Sequence, residues 1–156
     1  MAINRAPIYK KQLLGQIFLK SGLISKEQLK EALEVQKKEG GFLGEVLIKL
    51  NYLSELDLAM GLSSQCGIPY LSPLRYKIPQ SVLDIIPKDT ALKFSFMPID
   101  KFADTLTISM VNPLDETAQS KISETTNLTV MSCIATTKEI SSAIEKFYKQ
   151  KPKNVL

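Results

Sequence analysis

The feature that most constrains this chain is a pattern written twice between Leu13 and Gln65. A shift of 29 positions lays Leu14, Gly15, Lys20, Ser25, Leu29, Leu33 and Gln36 on Leu43, Gly44, Lys49, Ser54, Leu58, Leu62 and Gln65. Seven identities in one 24-residue window mark a repeated supersecondary unit, because composition alone does not reproduce fixed spacings.

Each copy reads as a helical hairpin. In the first, Ile17 and Phe18 follow Leu14 by three and four positions, one helical stripe, and Gly22 supplies a residue that ends a helix in the left-handed conformation. Ser25 and Gln28 have capping-box spacing, and Leu29, Ala32, Leu33 and Gln36 share one face of the helix that follows. The second copy repeats the design with Val46, Leu47 and Leu50, then Ser54 as cap, then Leu58, Gly61, Leu62 and Gln65. Lys37 to Gly41 join the two hairpins.

On these residues the chain resembles the N-terminal domain of type II secretion and type IV pilus assembly ATPases. That family carries a tandem motif of the same length and separation: Arg-Leu-Gly, an aliphatic three later, a Gly, two Leu and a terminal Gln. Leu14, Gly15, Gly22, Leu29, Leu33 and Gln36 match it in the first copy, and Leu43, Gly44, Leu47, Leu58, Leu62 and Gln65 in the second. Some members bind cyclic di-GMP with this motif, and a ligand of near two-fold symmetry suits a site made of two copies of one unit. The resemblance therefore implies a ligand or docking face of Leu13, Leu14, Gly15, Phe18, Leu29, Leu33 and Gln36 from the first copy and Phe42, Leu43, Gly44, Leu47, Leu58, Leu62 and Gln65 from the second. Gly15 and Gly44, lacking a Cβ, would admit ligand atoms to the backbone, and Gln36 and Gln65 would offer amide hydrogen bonds.

The chain departs from the motif at telling positions. Both arginines are replaced, by Leu13 and Phe42, and neither an aliphatic chain nor a phenyl ring supplies a planar cation for a base and a phosphate. Phe18 stands for an aliphatic residue and Asn51 for the second Gly. Two readings stay open: a docking surface with apolar contacts where homologues have arginine, or a cyclic di-GMP sensor served by substitute cations such as Arg5, Lys10 or Lys11.

After Gln65 the pattern changes. Pro69, Pro73 and Pro79 forbid a long helix, so residues 67–78 read as an extended connection. Residues 79–86 open with Pro at a helix start and carry Val82, Leu83, Ile85 and Ile86; a short helix over 88–93 follows. From Phe96 the period becomes two: 96–99 and 105–110 form a hairpin around a five-residue loop at 100–104. Asn112-Pro113 turns the chain, a helix spans 114–126, a third strand 128–134, and Thr136 with Glu139 caps a last helix bearing Ile140, Ala143, Ile144, Phe147 and Tyr148.

The expected architecture is α+β: a leader at 1–12, tandem helical hairpins over 13–66, the connection at 67–78, a small α/β layer of about three strands over 79–148, and a tail at 149–156. The run Met110-Val111-Asn112-Pro113-Leu114-Asp115 resembles the family's Met-x-Asp-Pro-x-Asp stretch, which adds Asn112 and Asp115 to the candidate face. Residue types alone favour a turn and helix cap there.

Composition bounds the chemistry. With no histidine, no nucleophile accompanied by a base and no Gly-x-x-x-x-Gly-Lys-Ser/Thr loop, neither a catalytic constellation nor a phosphate loop is present, so the chain is expected to be no enzyme. Cys66 and Cys133 lack metal-ligand spacing and read as reduced thiols, so no metal and no cofactor beyond the implied cyclic di-GMP is expected. The net charge of +4 comes from scattered lysines without a basic-aromatic stripe, which argues against nucleic acid as a partner. Met1 to Lys11 has no signal-peptide core and no run is long enough to span a membrane. The expectation is a cytoplasmic module, a fragment or a stand-alone chain, brought to the inner membrane by a partner. The resemblance implies that partner to be a motor ATPase domain or an inner-membrane platform protein.

Overall fold

The computed structural model of the chain describes residues 11–148, with side chains from Leu14 onward. The tail at 149–156 and the leader through Lys10, including Arg5, lie outside them; α1 already begins at Lys11. The α+β architecture holds, and the chain divides after Gly67 into two compact units.

Among the described residues the first unit is four helices: α1 (Lys11–Lys20), α2 (Lys26–Glu39), α3 (Leu43–Lys49) and α4 (Glu55–Cys66). The repeat is expressed bond for bond. Leaving α1, the backbone N–H groups of Ser21, Gly22, Leu23 and Ile24 donate to the carbonyls of Ile17, Leu19, Phe18 and Phe18. Leaving α3, Leu50, Asn51, Tyr52 and Leu53 donate to Val46, Ile48, Leu47 and Leu47, the same partners 29 residues on. These bonds satisfy carbonyls that a helix end would otherwise leave unpaired. The turn requires a left-handed residue, and Gly22 (φ 75°) is matched by Asn51 (φ 62°). Asparagine tolerates that region better than most residues, so the loss of the second motif glycine leaves the geometry intact. Both following helices open with full capping boxes, Ser25 with Gln28 and Ser54 with Asp57.

The second unit is built on a mixed sheet in the order β1 (Phe96–Phe102), β2 (Thr105–Met110), β3 (Thr129–Ile134), antiparallel then parallel. Helices α5 (Gln80–Leu83) and α6 (Lys88–Phe94) follow Pro79 and Pro87, each proline holding the extended N-cap conformation. The parallel pairing needs a crossover, supplied by α7 (Glu116–Thr126), and α8 (Thr137–Tyr148) closes the unit with Ile140, Ala143 and Ile144 buried. Leu106, Ile108, Phe96 and Met97 lie in the same core.

Two expectations are corrected. The hairpin loop is two residues, Ala103 and Asp104, because β1 runs on to Phe102 and Ala103 adopts a positive φ of 50°, for which its sequence carries no signal. The proline-rich stretch does not span free between subdomains; from Ile68 it belongs to the second unit. Leu71 donates to the Ile134 carbonyl, Ile134 donates back to Pro69, and Tyr70 bridges Ile134 in parallel. Ser109, whose alternation placed it outward, is fully buried and donates to the Leu71 carbonyl at 2.6 Å. The extended segment covers the side of β2 that the alternation left polar.

Candidate functional site

The motif residues of the first unit divide into core and surface. Leu14, Phe18, Leu43, Leu47, Leu58 and Leu62 are buried, as are Gly15 and Gly44. A Cβ on Gly15 would stand 2.8 Å from Leu29 Cδ1, and one on Gly44 2.4 Å from Leu58 Cδ1. The space expected to admit a ligand is thus filled, in both copies, by the equivalent leucine of the following helix. These glycines let the two helices of a hairpin approach closely.

Phe18 has a comparable explanation. Gly61 of α4 faces its ring, and a Cβ there would meet Phe18 Cε1 at 2.5 Å and Cζ at 2.7 Å. The positions equivalent to Phe18 and Gly61 in the opposite copies are Leu47 and Ala32, both fully buried. The larger side chain is matched with the smaller, and total volume is conserved.

Solvent reaches Leu29, half-buried, Leu33, 38% exposed, and Phe42, 41% exposed. Phe42 is the N-cap of α3 in extended conformation and makes no side-chain cap. Leu13 lies in α1, outside the residues whose side chains are described. The two glutamines have diverged. Gln36 is buried and donates its amide to the Gly41 carbonyl at 2.9 Å, tying α2 to the loop before α3. The Gln65 amide nitrogen and oxygen are both enclosed and find no hydrogen-bond partner among the described residues. An enclosed polar group left unpaired costs about 1–3 kcal/mol, which an incoming donor and acceptor would recover.

In the second unit the structure gives Asn112 and Asp115 local work. The Asn112 side-chain oxygen accepts from Leu114 N–H at 3.0 Å, an Asx turn, and the Asp115 carboxylate caps α7 by accepting from Ala118 N–H at 3.0 Å.

Sequence reasoning anticipated the Thr136 and Glu139 cap at the start of α8 but not its tie to the proline-rich segment. The Tyr70 hydroxyl donates to Glu139, which also accepts from Thr136 Oγ1 at 2.9 Å. Burial pushes the Glu139 carboxyl up, but hydrogen bonds from Ser72, Tyr70 and Thr136 outweigh it and hold it below the usual carboxylate range. Burial and the Glu139 bond push the Tyr70 phenol up to about 12. The cluster pins the proline-rich segment to α8. No group of three or more metal-ligating side chains occurs among the described residues, and none of their helices is long and apolar enough to cross a membrane.

Comparison with known proteins places this geometry. The model of the MshEN domain family matches residues 66–154. The type IV pilus assembly ATPase PilB of Myxococcus xanthus is 28% identical over 138 residues, 88% of this chain, which spans only 24% of the length of PilB. A structure of MshE with cdg, cyclic di-GMP, is 29% identical with a TM-score of 0.76, covering 86% of this chain and 98% of that one. The N-terminal domain of XpsE, 18% identical with a TM-score of 0.74 over 88% and 95% of the two chains, shares the fold.

Proposed function

Because the chain belongs to the MshEN domain family, we propose that it is a non-catalytic regulatory and docking domain of the type II secretion or type IV pilus ATPases. It works in the cytoplasm against a motor ATPase domain or an inner-membrane platform protein. The scaffold is that of a cyclic di-GMP motif, and MshE was solved with that ligand. This chain keeps the scaffold and has lost the motif's cations.

Phe42 carries the reading. It occupies an arginine position of the motif and offers solvent a phenyl ring, 41% exposed, where a guanidinium would pair with phosphate and stack on a base. Such a surface favours an apolar protein contact over a dianionic nucleotide. A charge-assisted hydrogen bond is worth about 1.5–3 kcal/mol, so losing one at each arginine position lowers affinity on the order of a hundredfold or more. Calorimetric titration with cyclic di-GMP tests this. The unmodified chain is expected to bind weakly or not at all, and Leu13→Arg with Phe42→Arg to gain affinity. Submicromolar binding by the unmodified chain would refute the docking reading in favour of a sensor.

A further inference from the structure

We propose that two copies of this chain associate head to tail through the first unit, the exposed ridge of α4 on one copy seating in the lysine-rimmed groove between α1 and α2 on the other. The groove is open, about 530 Å³, floored by Leu19, Leu29 and Leu33 and rimmed by Lys26, Lys30 and Lys37, with Glu34 the one carboxylate among the described lining residues. The lysines span eleven positions of α2, about 16 Å of helix, so the positive rim runs along an elongated occupant. The ridge is Leu56 and Met60, one turn apart, 50% and 51% exposed, flanked by Glu55 and Asp57 in the first turn.

The repeat makes this complementarity specific. At the positions equivalent to Lys26, Lys30 and Lys37 the second copy carries Glu55, Ala59 and Cys66; at those equivalent to Leu56 and Met60 the first carries Glu27 and Glu31. Outside the shared motif positions the copies have diverged, the first toward a basic groove and the second toward an acidic, apolar ridge. A row of side chains four apart on one helix fits between rows on another, the commonest helix packing, and each face otherwise leaves apolar surface in water.

Other occupants fit less well. The chain's own termini carry Arg5, Lys10 and Lys11, and Lys149, Lys151 and Lys153, without an acidic side chain, and would be repelled. A two-fold dinucleotide would draw equal cations from both copies of the repeat, whereas among the described lining residues every lysine comes from the first copy. Because groove and ridge are different surfaces, the contact is heterologous and propagates beyond two copies unless it closes into a ring.

Sedimentation velocity of the whole chain across micromolar to millimolar concentrations reads this contact without nucleotide, so it fails or succeeds separately from the titration above. The weight-average mass is expected to rise with concentration and to fall back at high salt. Lys30→Glu, at an exposed position, and Glu55→Lys, at a half-buried one, should each weaken association about tenfold or more, and an equimolar mixture of the two should recover association, because the unmodified groove of the Glu55→Lys copy still meets the unmodified ridge of the Lys30→Glu copy. Helical circular dichroism unchanged from the parent confirms that both variants fold. A strictly monomeric chain, variants that associate like the parent, or a monomer whose Lys26, Lys30 and Lys37 resonances shift on adding cyclic di-GMP would each overturn the proposal.

Discussion

Replacing Gly61 by Ala and then Phe18 by Leu isolates the complementarity that joins the two copies of the repeat. A Cβ at Gly61 falls 2.5 and 2.7 Å from two carbons of the buried Phe18 ring, which is rigid and cannot fold its end away. Overpacking of this kind costs about 1–3 kcal/mol, and alanine returns roughly 1 kcal/mol of helix propensity in the middle of α4, leaving a net loss of about 0–2 kcal/mol. Phe18→Leu alone removes ring carbons from a filled site and costs roughly 1–2 kcal/mol, below the full loss of an aromatic side chain. Together they recreate the Leu47 and Ala32 combination of the opposite positions, so the double variant should be more stable than the sum of the singles by about 1–2 kcal/mol. Urea unfolding by far-UV circular dichroism, with methyl resonances of the first unit as a local probe, gives the cycle. Additivity within about 0.5 kcal/mol would refute the pairing.

Asn51→Ala should cost about 1 kcal/mol, since alanine pays for φ 62° without the local hydrogen bonding of asparagine, whereas Asn51→Gly should be neutral or slightly stabilising; thermal midpoints distinguish them. Asp115→Ala should lose about 1 kcal/mol through the α7 cap, while Asn112→Asp, which keeps the Asx acceptor, should stay within about 0.5 kcal/mol in the same assay. The second unit should weaken at both extremes of pH. The Glu139 carboxyl is lower in the folded state, so its contribution is present above the ordinary carboxylate value and lost as pH falls through the depressed one. Tyr70 and Tyr148 are raised from 10 to about 12, so their contributions are full below pH 10 and lost as pH rises through about 12. Tyr70→Phe should flatten both limbs of a plot of urea midpoint against pH, leaving the alkaline share of Tyr148.

What the sequence determined by itself is the part of this protein written in short-range bonds. Capping boxes and left-handed turn residues are local, the boxes joining positions three apart, so Ser25 with Gln28 and Gly22 could be read as letters in order. The 29-residue offset then extended each local assignment to a second copy. The tertiary structure decided what required residues distant in the chain. That the side chains of Leu29 and Leu58 pack on Gly15 and Gly44 depends on how the following helix folds back. That Phe18 is matched to Gly61 depends on α1 meeting α4. The proline-rich segment gave no sign of its place because its restraints, Leu71 on Ile134, Ser109 on Leu71 and Tyr70 on Glu139, all cross more than thirty positions. The glycine and leucine pattern is the same whether its hollows receive a nucleotide or a side chain; only packing shows which atoms fill them.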